Sequence, residues 1–207
     1  MLGQRVLPHD TVEVDGKQIS AAQATVYIAF NKPRGITCTT EAHIEDNIIS
    51  YINHPQRIFP VGRLDRASEG LIFLTSDGNI VNKILRAGNN HEKEYVVSVN
   101  KNITPEFIEQ MSNGIPILDT VTAKCKVEKL GNTSFKIILT QGLNRQIRRM
   151  CNYLDYEVTR LRRIRIMNIT LDGIKTGEWR YFTNEELAEV NRLVAHSVKT
   201  EEASLKK

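Results

Sequence analysis

Short apolar runs of strand type outnumber helical ones along this chain, and the two kinds do not alternate. Regular alternation would call for a parallel sheet wrapped by crossover helices. Its absence favours an α+β fold built on a largely antiparallel sheet. The strand-like runs lie at 26–30, 58–61, 71–75, 92–99, 121–128, 135–140 and across 157–169. Gly131-Asn132 reads as the turn joining 121–128 to 135–140. Helical spacing falls at 46–53, 79–86, 143–154 and 184–195. Thr104-Pro105 opens a further helix with an N-cap and a proline at its first position, and Thr183-Asn-Glu-Glu186 has the form of a capping box.

With 207 residues, 41% of them hydrophobic, the chain can bury one good-sized core. Residues 1–24 stand apart: a short alternating strand at 11–14 sits among turn residues, too short to bury a core of its own. A boundary near residue 24 leaves a main body at 25–197. Residues 198–207 read as a disordered charged tail.

Several classes of function are disfavoured. The three cysteines are widely spaced with no CxxC, as expected of reduced thiols in a cytoplasmic protein. The five histidines form no HxxxH pair or His/Cys cluster, so no metal site is expected. No P-loop or GxGxxG is present, and no cofactor is expected. The first ten residues lack a signal-peptide core, and no apolar run approaches the roughly 18 residues that span a bilayer. A net charge of +4 is modest, so its distribution matters more than its sum.

Three places can carry chemistry. Gly62-Arg-Leu-Asp-Arg-Ala-Ser-Glu-Gly70 is a polar loop between apolar strands, bracketed by glycines and carrying Arg63, Asp65, Arg66 and Glu69. It reads equally as a surface turn with incidental ion pairs. In Glu92-Lys-Glu-Tyr95, Lys93 and Tyr95 project from one face of a strand, where a tyrosine can stack on a base or simply sit half buried. Between Gln141 and Ile166 lie Arg145, Arg148, Arg149, Arg160, Arg162, Arg163 and Arg165, opposed in that segment only by Asp155 and Glu157. This segment reads as a phosphate-binding surface or as a solvated basic face. Within its helix, Leu143, Ile147, Met150, Cys151 and Leu154 form an apolar stripe. At about 100° per residue Arg145 and Arg149 fall opposite the stripe, facing solvent or a ligand, and Arg148 falls at its edge, the best placed to meet a buried carboxylate.

Taken together and in order, these segments resemble a known family. GRLDRASEGLIFLTSDG (62–78), NRQIRRMC (144–151), NKPRG (31–35) and KEY (93–95) are similar to motifs of the RsuA-type bacterial ribosomal RNA pseudouridine synthases, over residues 25–195. The resemblance implies a pseudouridine synthase-like fold, a mostly antiparallel mixed sheet with flanking helices around a central RNA-binding cleft. It implies cofactor-free conversion of uridine to pseudouridine: the C1′–N1 bond breaks, the base turns, and C5 joins C1′. Asp65 takes the place of the family's aspartate, Tyr95 that of its base-contacting tyrosine, and Arg148 that of the basic partner of the aspartate, favouring its ionised form. Arg63 has the spacing of an arginine that fills the space left by the flipped base. Arg66, Lys93, Arg145, Arg149, Arg160, Arg162, Arg163 and Arg165 are the further expected RNA contacts. Attack on C1′, addition to C6 and removal of the 2′ proton all remain open for Asp65. Residues 3–17 resemble the last hairpin of an S4-type RNA-binding domain whose first part is missing from the chain. The implied partners are ribosomal RNA, the large-subunit 23S species before the 16S, and pre-ribosomal particles; a monomer is expected, with no membrane. Two rivals stand beside this reading. One is an RNA-binding or ribosome-assembly module without catalysis. The other is glycosidic hydrolysis by a carboxylate pair drawn from Asp65, Glu69 and Asp77, although Asp77 before Gly78 reads better as a helix cap.

Overall fold

The computed structural model describes residues 12–15, 17–19 and 24–197. The tail at 198–207 lies outside the described residues, as does most of the segment before residue 24. Near the N-terminus, β1 (Val12–Val14) and β2 (Lys17–Ile19) form an antiparallel hairpin.

The main body contains β3 (Tyr27–Lys32), α1 (Ile48–Ile52), β4 (Phe59–Val61), β5 (Glu69–Thr75), α2 (Gly78–Leu85), β6 (Lys93–Val99) and α3 (Pro105–Asn113). It continues with β7 (Pro116–Ile117), β8 (Thr120–Val121), β9 (Lys126–Gly131), β10 (Ser134–Leu139), α4 (Gln146–Tyr153), β11 (Val158–Ile166), β12 (Ile169–Thr170), β13 (Trp179–Tyr181) and α5 (Asn184–Val194). Seven strands form the path β13-β3-β5-β11-β6-β10-β9, with β4 added on β5 and β12 on β11. All pairings in this sheet are antiparallel except β5 with β11. The expected mixed, mostly antiparallel α+β sheet with flanking helices is what forms.

β3 and β5 are buried along nearly their whole length because both faces of the sheet are covered. Side-chain alternation divides them between two cores. Ile28, Phe30, Ile72 and Leu74 join α1, α3 and α4 on one face. Ala29, Leu71 and Phe73 join α2 and α5 on the other.

The edge of β5 facing away from β3 is shared. β4 pairs with its second half at 73–75, and β11 pairs with Glu69 and Gly70 at its start. The loop 62–68 leaves β4 and re-enters β5 at this seam. Gly70 makes the seam possible: it has φ +108°, and a Cβ there would lie 2.7 Å from Arg163 N and closer still to Arg163 O.

Local signals set several boundaries as expected. Thr104 caps α3 with Pro105 following, and Thr183 and Glu186 complete the capping box of α5. Asp77 caps α2 by accepting from Asn79 N, as anticipated, and also accepts from the Tyr27 hydroxyl at 2.9 Å. The strand expected at 121–128 is instead divided. Thr122 exchanges hydrogen bonds with Ile115 through its amide and its hydroxyl, which closes the small β7–β8 hairpin and delays β9 to residue 126. β13 was not anticipated, since three residues ending in a half-exposed tyrosine carry no periodic signal.

Gly70→Ala is expected to lower unfolding free energy by about 2–5 kcal/mol, combining left-handed strain with a backbone clash. Gly35→Ala has similar strain (φ +91°) but nothing within 4 Å, and should cost only about 1–2 kcal/mol. Urea denaturation of the two variants side by side checks the difference.

Candidate active site

The loop carrying Asp65 is held from below by the turn after β3. Lys32 is fully buried, and its Nζ donates to the carbonyls of Pro33 and Ile36, 2.8 and 2.9 Å away. Burial lowers its pKa, opposed by the nearby Cys38, Asp65 and Glu69. The turn so fixed reaches the loop. Gly35 N donates to Arg66 O (2.8 Å), Arg66 Nε donates to Gly35 O (2.9 Å), and the Arg66 guanidinium pairs with Asp46 at 2.7 Å. Leu64 N donates to the buried Cys38 Sγ at 3.4 Å, and Ser68 N closes a turn on Asp65 O at 2.9 Å. Leu64 points into the core while Asp65 emerges beside it, its side chain 35% exposed.

From the opposite side α4 brings two guanidinium groups. Asp65 Oδ2 lies 3.5 Å from Arg145 Nη1 and 3.7 Å from Arg148 Nε. Arg148 is the more enclosed, 14% exposed against 49% for Arg145. Its Nη1 donates to Val158 O and its Nη2 to Ser68 Oγ. Its buried Nε has no hydrogen-bond partner and faces the carboxylate. Burial, then Arg145, lowers the Arg148 pKa, with Asp65 opposing. The helix-face argument therefore places Arg148 correctly. Arg145, expected opposite the stripe and facing solvent or a ligand, is half exposed and lines the cleft. Arg145 is the left-handed N-cap of α4 (φ +49°), outside the helical spiral, and this conformation turns its side chain toward Asp65. Sequence reasoning also missed Gln146, whose Oε1 accepts from Leu143 N while its Nε2 is buried without a partner beside the same cleft.

The floor comes from β6 and β11. Lys93 and Tyr95 share a face of β6, as the period of a strand requires, and both are buried. Tyr95 is in register with Arg163, whose guanidinium carbon lies 6.0 Å from the ring centroid. Arg163 is 4% exposed, and its Nε donates to Leu71 O at 2.6 Å. Lys93 is 7% exposed, and burial together with Arg163 pulls its pKa down to about 8.

The basic segment is less uniform than its sequence suggests. Arg160 pairs with Glu69 at 2.6 Å, and Arg165 with Glu92 and Glu94 at 2.8 Å each, because strand pairing imports acids that are distant in sequence. Arg149 binds Asn144. Arg63, exposed at the cleft, and Arg162 form no ion pair among the described residues.

A cleft of about 470 Å³ opens between loop 62–68, α4 and the β6–β11 floor. It is lined by Arg63, Asp65, Lys93, Tyr95, Gln146, Arg148 and Arg163 among others. Asp65 is the single carboxylate in that lining. Among the described residues no group of three potential metal ligands occurs, and no helix is long and apolar enough to cross a membrane.

This arrangement is that of an enzyme with one carboxylate set in a cationic, nucleotide-sized cleft. The profile of the RNA pseudouridylate synthase family matches residues 26–153. The chain is 57% identical over 198 residues to the dual-specificity RNA pseudouridine synthase RluF of Salmonella typhi, covering 95% of this chain and 68% of that one. It is 33% identical over 204 residues to the ribosomal large subunit pseudouridine synthase B of Bacillus subtilis, covering 94% and 83%. Its fold matches a crystal structure of a pseudouridylate synthase with TM-score 0.75 at 24% identity, over 90% of this chain and 82% of that one. The chain belongs to the RNA pseudouridine synthases, which are isomerases.

Lys93 tests the electrostatics of the floor directly. Its amine is charged at neutral pH in surroundings that disfavour the charge, so Lys93→Met is expected to stabilise the fold by on the order of 1–3 kcal/mol. Between pH 8 and 10.5 the unfolded chain holds this proton and the folded one does not. Wild-type stability therefore rises through that window and the advantage of the variant fades. Urea melts of both proteins at pH 7 and pH 10 measure the effect.

Proposed function

We propose that this chain converts uridine to pseudouridine in ribosomal RNA, with Asp65 as the acting carboxylate and residues 25–197 as the catalytic body. The observation that carries the reading is that Asp65 is the one carboxylate lining the cleft, with two guanidinium groups within 3.7 Å. Hydrolysis by a carboxylate pair finds no second member: Glu69 is engaged by Arg34 and Arg160, and Asp77 caps α2. A module that only bound RNA would be weakened by an anion placed among its phosphate-binding groups.

In this reading the target base leaves its stack and enters the cleft, and Arg63 occupies the vacated place. Tyr95 packs against the base from the floor. Arg148, itself fixed by Val158 O and Ser68 Oγ, holds Asp65 in position, and Arg145 flanks it from the open side. Arg149 and Arg162, which lie outside the cleft lining, are the proposed phosphate contacts. Large-subunit RNA, within pre-ribosomal particles in the cytoplasm, is the proposed substrate, and a monomer the proposed active form. The large-subunit assignment is supported by the description of the Bacillus subtilis relative.

Asp65→Asn is expected to abolish pseudouridine formation, by at least about 10³-fold, while changing RNA affinity less than about threefold. The check is incubation with unmodified large- and small-subunit transcripts, followed by carbodiimide-blocked primer extension and filter binding. Full turnover in the variant would remove Asp65 from the chemistry. Wild type that binds RNA without turnover would leave a binding module.

A further inference from the structure

Two buried cations on the cleft floor are not used in the scheme above. Lys93 and Arg163 are each more than nine-tenths buried and line the cleft, yet they retain donors to spare. Arg163 spends its Nε on Leu71 O, and its buried Nη2 has no partner. Among the described residues Lys93 Nζ makes a single hydrogen bond, to His91 O at 3.2 Å, leaving two of its three donors unused. Loop 62–68 and α4 bring Asp65, Arg145 and Arg148 to the same cleft, but Asp65 is paired with those two arginines, and among the described residues no acid pairs with Lys93. Arg163 on β11 repels it, and His91, just upstream on its own chain, is held toward its neutral form by burial and by Lys93. The residues in register with it on β10 and β11 are Leu139 and Ile166. Both cations are too enclosed to meet a surface phosphate, and two like charges on a buried floor are costly unless something electron-rich arrives to meet them.

We propose that Lys93 and Arg163 form a subsite for the carbonyl edge of the extruded uracil and hold the negative charge that develops on its oxygens as the glycosidic bond breaks. This rests on the reading of the cleft as a uridine isomerase site. In the conversion the C1′–N1 bond breaks and its electron pair moves into the base, spread over O2 and O4. C5 then joins C1′, the C5 proton is released, and N1 takes up a proton, so the product is an isomer of the substrate. Addition of Asp65 to C6 would likewise place charge on O4. Donors fixed in advance where charge develops, in a site shielded from water, stabilise the transition state more than the bound substrate. Tyr95, in register with Arg163 and on the same face as Lys93, presents the base to both.

The test is single-turnover conversion of unmodified large-subunit transcript by wild type, Lys93→Met, Lys93→Arg and Arg163→Lys, with RNA affinity measured across a salt series. Lys93→Met is expected to lower the rate about 10²-fold with RNA affinity and its salt slope unchanged. Arg163→Lys, which keeps the charge but loses the forked donors, should lower the rate with affinity likewise unchanged. Wild-type rate should fall above about pH 8 as Lys93 loses its proton, and Lys93→Arg should move that fall upward by more than one pH unit. An unchanged rate in Lys93→Met would overturn the proposal. So would a loss confined to affinity with a shallower salt slope, which would mark a phosphate contact. If wild type forms no pseudouridine, the reading of the whole site fails, and this proposal with it. Thermal melts of each variant separate a lost donor from a lost fold.

Discussion

The site depends on one unusual feature of the sheet, the handover of β5's free edge from β4 to β11. β4 ends beside Phe73, and β11 begins its pairing at Gly70. The chain between the two β-strands must leave the sheet, and loop 62–68 is the result. The parallel contact of Gly70 with Arg163 sets where that loop returns, so Asp65 is placed by backbone packing before any of its charged neighbours is considered. The same contact fixes Arg163, whose side chain then lines the cleft floor beside Tyr95. Loop and floor are two sides of one seam, which is why a single glycine governs both.

Around this seam the charges are sorted by burial. Glu69, Glu92 and Glu94 neutralise Arg160 and Arg165 outside the cleft. Among the described residues lining the cleft the only acid is Asp65, paired with Arg145 and Arg148, while Lys93 and Arg163 line the floor without an acidic partner. Exposed ion pairs of the first kind contribute roughly 0–1 kcal/mol each and chiefly hold strands and loops in order. Enclosed, unneutralised cations work against the fold, and their local effect is a positive potential on the cleft floor.

The features legible in the sequence were those encoded within a few residues of themselves. Thr104-Pro105 and Thr183 with Glu186 act through backbone groups three residues away, and their helices begin where expected. The α4 stripe of Ile147, Met150 and Cys151 follows from helical periodicity, and it places Arg148 at the edge of the core. Asp65 itself was singled out by a polar loop between apolar runs, and the family resemblance sharpened that reading. What remained hidden depends on pairing across the chain. Nothing near Arg160 announces Glu69, 91 residues away, and nothing near Thr122 announces that it will tie off Ile115. The contact of Arg145 with Asp65 was hidden for a different reason: a periodicity argument assumes helical angles, and the first residue outside the helix has left-handed ones.

Lys93 joins these two kinds of information. Alternation along β6 correctly put it on the face of Tyr95, but alternation cannot say how deep that face lies. Depth is set by Arg163 arriving from β11 and by α4 closing over the same face, both long-range events. The outcome is a conflict between levels: a strand position that pattern alone would give to an aliphatic residue holds a cation beside another cation. Sequences whose local and global demands agree fold without such conflicts, and violations concentrate where function requires them. A methionine would fill this position at lower energetic cost. The presence of lysine, with two donors free and a cleft in front of it, is accounted for by an electron-rich group that occupies the cleft only during turnover.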